Sequence, residues 1–441
     1  MNHLELAQPY YDFIADALAT GGPQLESAAL GCPEGVHLSV DLAPFGLKMG
    51  VYGQVQAWNI RSNAAYAAVL YAYHWAAIPH DDAAAAAWVE STAWPFLTKV
   101  AAFWTCYLTK TPTPGAPEGY QYNGYVDCDG DEGCAPQGNA VWSIVYLTRV
   151  LETLISMASA TGRAAAPEWA EVLAHQPPIP TWTTKGPGGD GELTVLADYG
   201  ICVATGAPCN SEGWGKQSGY LHSLWPGEVL SLSHPDAALV AAANATFQLT
   251  AWTQDNSFSW VYAAAARAGW PPSDILARFT AALASHARGN RLIAWGGLCS
   301  DSLGGVAYVH DALVQGQEGF LRLFGAWPGE LDAAFSTLRM RGALLVSGAY
   351  KGRAGWAGRV AGLTGGVLNA TVACEADGQV RVLSPWPGAG RAGGVRVVDA
   401  ATGAPVALTW STVGGVNGGD AFAWAGKKGR AYVAKGPAPP Q

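Results

Sequence analysis

Large apolar side chains recur at helical spacing through the first three quarters of the chain. Residues 4–20 read as a helix that Gly21-Gly22-Pro23 stops. A mixed, Gly-rich stretch runs from there to about residue 60. Helical segments follow at roughly 62–78, 83–110 and 138–162. The run SNAAYAAVLYAYHWAA keeps its large residues on one face, and Asp81 or Asp82 can cap the next helix. From about 177 to 232 the periodicity fails, and PPIPTWTTKGPGGDGEL reads as a long loop. Ser233-His234-Pro235-Asp236 then opens another helix. Further helices are expected near 257–268, 273–289, 304–316 and 330–341.

After about residue 343 the period changes from helix to strand. VLNATVAC, QVRVLSPW, GVRVVDA and AYVAKG are short, β-branched and separated by Gly, Asp and Pro turns. Helices first and strands last argue for separate domains, expected at 1–342 and 343–441, rather than for a βαβ sheet. The pattern alone reaches an α barrel or toroid followed by a β-sandwich.

A chain of 441 residues is too long for one ordinary core. With 13% charged residues and a net charge of -9, it offers no basic stripe for nucleic acid. The Ala-rich stretches are broken by charges and Trp, so no membrane insertion is expected. The 19 Trp residues suit a large helical core, and they equally suit sugar platforms, because a pyranose face stacks on an aromatic ring. Cys128 and Cys134 lie close together in a loop, as do Cys202 and Cys209. Such pairs fit short disulfides or metal ligands, and no His cluster accompanies them. With the N-x-T acceptors at Asn244 and Asn369, they suggest a secretory history, yet Met1 opens MNHLELAQPYYDF without a basic or apolar leader, so two expectations stand: a cytosolic protein with free thiols, or a secreted or vacuolar one whose signal segment is missing from this sequence.

The densest polar cluster is Tyr125-Val-Asp-Cys-Asp-Gly-Asp-Glu-Gly-Cys134, just ahead of a helix. Asp127, Asp129 and Asp131 have EF-hand spacing, but Glu132 replaces the turn Gly and Gly138 stands at position twelve. A solvated acidic loop and a catalytic loop remain. A glycosidase acid needs a carboxyl of raised pKa held over the glycosidic oxygen, and crowded carboxylates supply the shift. Asp190, Glu192 and Glu212 read as solvated loop charges, and His74, His222, His234 and His310 as core or cap residues without metal spacing.

The stretch from about 63 to 140 resembles the catalytic half of the six-hairpin glycosidases, a group that includes the family 95 α-L-fucosidases. Asp82, Trp94-Pro95-Phe96-Leu97, Ala102-Phe103-Trp104, then the acidic loop with Glu132 and Asn139, follow the family's order. A second match runs through Ser300-Asp301-Ser302-Leu303-Gly304-Gly305, Ala312-Leu313-Val314-Gln315-Gly316, Leu323 to Pro328, and Leu338-Arg339-Met340-Arg341-Gly342. Trp58-Asn59-Ile60-Arg61-Ser62-Asn63 resembles the fucosidase stretch whose Asn side chains position water, with Arg61 where a second Asn is expected. The resemblance implies a mainly α, (α/α)6-type six-hairpin toroid lacking its first helices, then a small C-terminal β-sandwich. It implies an inverting hydrolase of a terminal glycosidic bond, an α-L-fucoside or related sugar. Glu132 is its acid and Asp301 its base. Trp58, Asn59, Asn63 and Asn139 contact an oligosaccharide or glycoconjugate. No metal or organic cofactor is required. The competing reading is a carbohydrate-binding, non-catalytic or truncated member of the same fold.

Overall fold

The computed structural model describes residues 3–39, 61–127, 137–189, 191–210, 219–252, 260–286, 304–352, 366–386, 394–415 and 418–436. Eleven α-helices among them are α1 (Gln8–Ala19), α2 (Gly22–Ala29), α3 (Asn63–Ala77), α4 (Ala83–Trp88), α5 (Trp94–Tyr107), α6 (Val141–Thr161), α7 (Pro167–Ala174), α8 (Ala237–Thr246), α9 (Val261–Ala268), α10 (Pro272–His286) and α11 (Val306–Leu313).

The centre of the helical part is α6. Its first seven residues, Val141 to Leu147, are all buried, so this end of the helix has no solvent face. Contrary to the expectation from the broken apolar runs, α6 is long and apolar enough to cross a membrane; most of it is buried inside the fold. It packs on α3 and α5. Ala64, Ala65 and Ala68 of α3 are buried small residues that permit close approach. Asp82 Oδ1 accepts from Ala84 N at 2.9 Å to cap α4, and Asp236 caps α8 through Ala238 N and Leu239 N. The expected single helix at 83–110 is α4 and α5 joined by a π turn at Val89–Ala93, just ahead of Pro95, which lacks an N–H. Gly21-Gly22-Pro23 breaks the first helix but starts α2, because Gly21 takes φ +76° and Pro23 fits the first turn.

Strand β1 (Thr109–Pro112) pairs with β2 (Tyr120–Asn123). Short β3 (Gly138–Ala140) runs directly into α6. The expected loop at 177–232 contains the hairpin β4 (Thr181–Lys185) and β5 (Glu192–Leu196), then β6 (Tyr199–Ile201), which pairs with β3. A second core gathers α8 to α11 around Tyr262, Phe279 and Tyr308.

The C-terminal part is two antiparallel sheets over one core. After β7 (Val314–Gln315) and β8 (Arg322–Leu323) come β9 (Ala333–Met340), β10 (Leu344–Tyr350), β11 (Val367–Cys374), β12 (Gly378–Leu383), β13 (Arg396–Asp399), β14 (Thr409–Val413), β15 (Gly419–Gly426) and β16 (Ala431–Lys435). One sheet has the order β13-β16-β11-β10-β9 and the other β12-β15-β14. Val346, Val372 and Tyr432 from the first meet Val382, Phe422 and Trp424 from the second.

The helix expected at 330–341 is instead strand β9. Its Ala, Leu and Met favour helix, but pairing of Met340 with Leu344 and Leu338 with Val346 places it on the sandwich, and tertiary pairing wins over propensity. The sheet therefore begins ahead of the expected boundary at 342/343. Likewise the helix expected at 304–316 stops at Leu313, where Val314 and Gln315 turn to strand.

Two disulfides are described. Cys202–Cys209 closes a loop as the spacing suggested. Cys32–Cys106 spans 74 residues and had no local sign. Cys374 is a buried free thiol. Cys128 and Cys134 lie outside the described residues. Asn244 sits inside α8 and donates its Nδ2 to Ala268 O at 3.1 Å.

Candidate active site

The acidic loop is fastened at its base. Asp127 and Gln137 face each other and exchange both backbone hydrogen bonds, at 3.1 and 2.8 Å. The chain bearing Glu132 thus leaves and returns at one neck. Val203 N donates to Gln137 Oε1, which ties the neck to the Cys202–Cys209 loop.

Asp127 itself is fully buried. Its Oδ1 accepts from Arg61 N at 3.0 Å, and its Oδ2 accepts from Ser62 N at 3.0 Å and from Ser143 Oγ at 2.7 Å. A buried carboxylate is tolerable only when so surrounded by donors. Ser62 is the N-cap position of α3 but makes no side-chain cap, so Asp127 supplies the acceptor from a distant part of the chain. The start of α3, the neck of the acidic loop and the start of α6 are joined by one side chain.

Of the expected site residues, Trp58, Asn59, Glu132 and Asp301 lie outside the described residues. Asn63 opens α3, two residues from Arg61, and its half-buried side chain leaves Nδ2 without a hydrogen-bond partner among the described residues. Asn139 is buried in β3 at φ +51°, a left-handed conformation that Asn accepts more readily than most residues. Its Nδ2 donates to Asn123 Oδ1 at 3.1 Å. Gly200 on β6 lies opposite it with little room, since a Cβ there would come 3.1 Å from Asn139 Cβ. Asn139 also lines a cavity of about 600 Å³ with Gln121, Pro180, Thr181 and Ile201. Of the other weighed carboxylates, Glu192 is exposed on β5, and Asp190 and Glu212 lie outside the described residues.

Beside Asp127, Trp142 packs edge-on against His222 with ring centroids 5.1 Å apart, and Trp260 does so at 4.8 Å. Tyr146 is hydrogen bonded to His222 Nδ1. Burial pushes His222 down to about 3 and Tyr146 well above its usual value, so both are neutral near pH 7. This is a core role, as the sequence suggested for His222. His74 is a second such residue, bonded to the Tyr11 hydroxyl, stacked on Trp88 and lowered to about 4 by burial.

A buried ionic network lies outside the residues expected to form the site. Arg267 Nε meets Asp311 Oδ2 at 2.6 Å, and its Nη1 meets Glu228 Oε1 at 2.7 Å. Arg341 pairs with the other oxygen of Glu228. One signal was present: Arg267 stands alone in Val-Tyr-Ala-Ala-Ala-Ala-Arg-Ala, and a cation in a wholly buried helix demands acidic partners. The network floors a cavity of about 560 Å³. Burial works against ionised Asp311, yet Arg267 and His310 outweigh it and hold its carboxyl below the usual range. Asp311 is spent on Arg267 and Glu228 on Arg267 and Arg341, and Asp311 holds no proton to give, so this is not an acid/base pair. Among the described residues, no group of three or more His, Cys, Asp or Glu is placed to hold a metal ion.

No family model matches the chain, and no curated protein matches it. Among solved structures, a protein described provisionally as a kojibiose phosphorylase from the human microbiome aligns with a TM-score of 0.52 at 10% identity. The alignment covers 86% of this chain and 55% of that one, so this chain spans little more than half of its length. At that identity the likeness is one of fold: helices and β-sheet are arranged over most of this chain as they are in that protein.

Proposed function

We propose that this chain is a glycosidase of the six-hairpin type, with its helices forming part of an (α/α) toroid and the sandwich, from Ala333 onward, as a second domain. Glu132 protonates the leaving oxygen. Asp301, helped by Asn59, activates water on the opposite face of the sugar. Inversion requires the two carboxyls to stand roughly 6.5–9.5 Å apart, which leaves room for that water. Asn63 and Asn139 complete the polar rim, Trp58 provides an apolar face, and the substrate is an α-L-fucoside or related terminal sugar.

The observation that carries this reading is the Asp127 carboxylate. It binds the backbone of Arg61 and Ser62 while forming the neck of the loop that bears Glu132. The two stretches that carry the resemblance are thereby neighbours in space, although 66 residues apart in sequence. The fold likeness to a protein described as a phosphorylase supports carbohydrate chemistry and adds inorganic phosphate as an alternative acceptor to water.

The test is sugar release from a panel of α-fucosides, α-galactosides and plant or algal oligosaccharides, with and without inorganic phosphate. Turnover by wild type that Glu132→Gln abolishes supports the assignment. Release of a sugar phosphate only when phosphate is present replaces hydrolysis by phosphorolysis. Sugar binding without turnover, unchanged in Glu132→Gln, supports the non-catalytic reading.

A further inference from the structure

The 560 Å³ cavity lies where the helical part meets the sandwich, and nothing in the proposed reaction uses it. Two helices supply its long walls. Leu70, Tyr73 and Ala77 form one stripe of α3, three and four residues apart. Val306, Val309 and Leu313 form the facing stripe of α11 at the same spacing. These are apolar positions, yet Val306 is 67% exposed and Val309 40% exposed, so among the described residues α11 presents an unpartnered apolar face to the cavity. The end of β9, Leu338 to Met340, and Arg341 close a third side.

The charge that a ligand would meet is of one sign. Glu228 and Asp311 form the floor, but their side chains are only 2% and 4% exposed, each oxygen turned to a guanidinium. Arg341 is 31% exposed, with its Cζ over the Tyr73 ring at 5.7 Å from the centroid. Glu228, its ion-pair partner among the described residues, is shared with Arg267. Burial, and then the nearby Arg149 cation, lower Arg341 to about 10, with Tyr73 and Glu152 acting the other way. His310 also lines the cavity, and its Nε2 has no hydrogen-bond partner among the described residues. A bare sugar does not suit such walls, because its hydroxyls would face carbon on two sides. The volume is within the roughly 300–1,000 Å³ range of small-molecule sites.

We infer that this cavity binds a small anionic amphiphile, its apolar body held between the Leu70 and Val306 stripes and its carboxylate against Arg341. The inference stands apart from the glycosidase reading and neither needs nor predicts turnover.

Calorimetric titration of the whole chain with decanoate, decan-1-ol and acetate tests it. Decanoate carries both body and head, decan-1-ol the body alone and acetate the head alone. Decanoate is expected to bind saturably and at least about tenfold more tightly than either. Val306→Asp adds a charge at an exposed position, so the fold tolerates it, and it is expected to weaken decanoate at least about tenfold. Arg341→Gln is expected to bring decanoate down to the level of decan-1-ol. Absence of decanoate binding overturns the inference. So does equal binding of decan-1-ol, which removes the role of the head, or an unchanged affinity in Val306→Asp, which places any binding elsewhere.

Discussion

Asp127 holds Ser62: the carboxylate Oδ2 accepts the Ser62 backbone N–H at 3.0 Å across 65 residues of sequence, and the same oxygen accepts Ser143 Oγ at 2.7 Å. Removing the carboxylate leaves two backbone donors and a hydroxyl without their acceptor in a buried place. Asp127→Ala is therefore expected to destabilise the fold by about 3 kcal/mol, and Asp127→Asn by about 1–2 kcal/mol because one acceptor oxygen remains. Denaturant unfolding of the two variants measures the difference. An Asp127→Ala chain as stable as wild type would remove the joint on which the proposed site depends.

The Glu228–Arg267–Asp311 network makes a sharper stability prediction. Arg267→Met strands the buried Asp311 carboxylate, leaves Glu228 with Arg341 alone, and is expected to cost about 3–5 kcal/mol. Replacing Arg267 and Asp311 together by apolar residues is expected to recover part of that loss, because fewer charges are then left uncompensated. Both numbers come from the same denaturation experiment, and a double variant worse than the sum of its singles contradicts the account.

Acid should weaken the fold before the carboxylates titrate. Folded His222 titrates at about 3 and folded His74 at about 4, both below the unfolded value near 6.5. The unfolded chain takes up these protons first, so the stability the neutral rings contribute is whole above about pH 6.5 and is lost as pH falls toward 4. Each histidine adds up to about 1.4 kcal/mol per pH unit to the slope in that window. His222→Gln should flatten the slope by one proton, read from denaturation midpoints at several pH values. A slope unchanged in that variant would mean that His222 takes up its proton in the fold.

The two disulfides should differ in weight. Cys32–Cys106 closes a 74-residue separation and Cys202–Cys209 one of 7. By chain entropy, replacing the first pair with Ser is expected to cost about 4 kcal/mol and the second about 2 kcal/mol. Unfolding of each double-Ser variant, under oxidising conditions, gives the ranking, and the reverse order would show that native packing outweighs loop length here.

Much of the helical part was legible because its signals are local. The spacing of Ala64, Ala68, Tyr71 and Trp75 within α3 needs only the 3.6-residue period, and the Asp82 and Asp236 caps need only an acid ahead of a helix. Other features depend on distant partners and left no local trace. Ala333–Met340 has helix-forming residues and becomes a strand because β10 is there to pair with it. The hairpin of β4 and β5 was hidden by Pro and Gly on both sides of residues that pair only with each other. Of the candidate site, the types and spacing of Glu132, Asp301, Asn59 and Asn63 could be named from the resemblance; the mutual placement of Asn63 and the acidic loop's neck could not.

By itself, the sequence determined where most of the helices form, that strands follow them toward the C-terminus, and that its low charge and many aromatics call for large cores, since propensity and period act within a few residues. Only the tertiary structure decided that Asp127 is a buried acceptor for the start of α3, that Glu228 and Asp311 are committed to Arg267, and that α3 and α11 enclose a cavity. Hydrogen bonding, desolvation and ion pairing depend on which groups meet in space, and residues 61 and 127, or 267 and 311, meet only once the chain has folded.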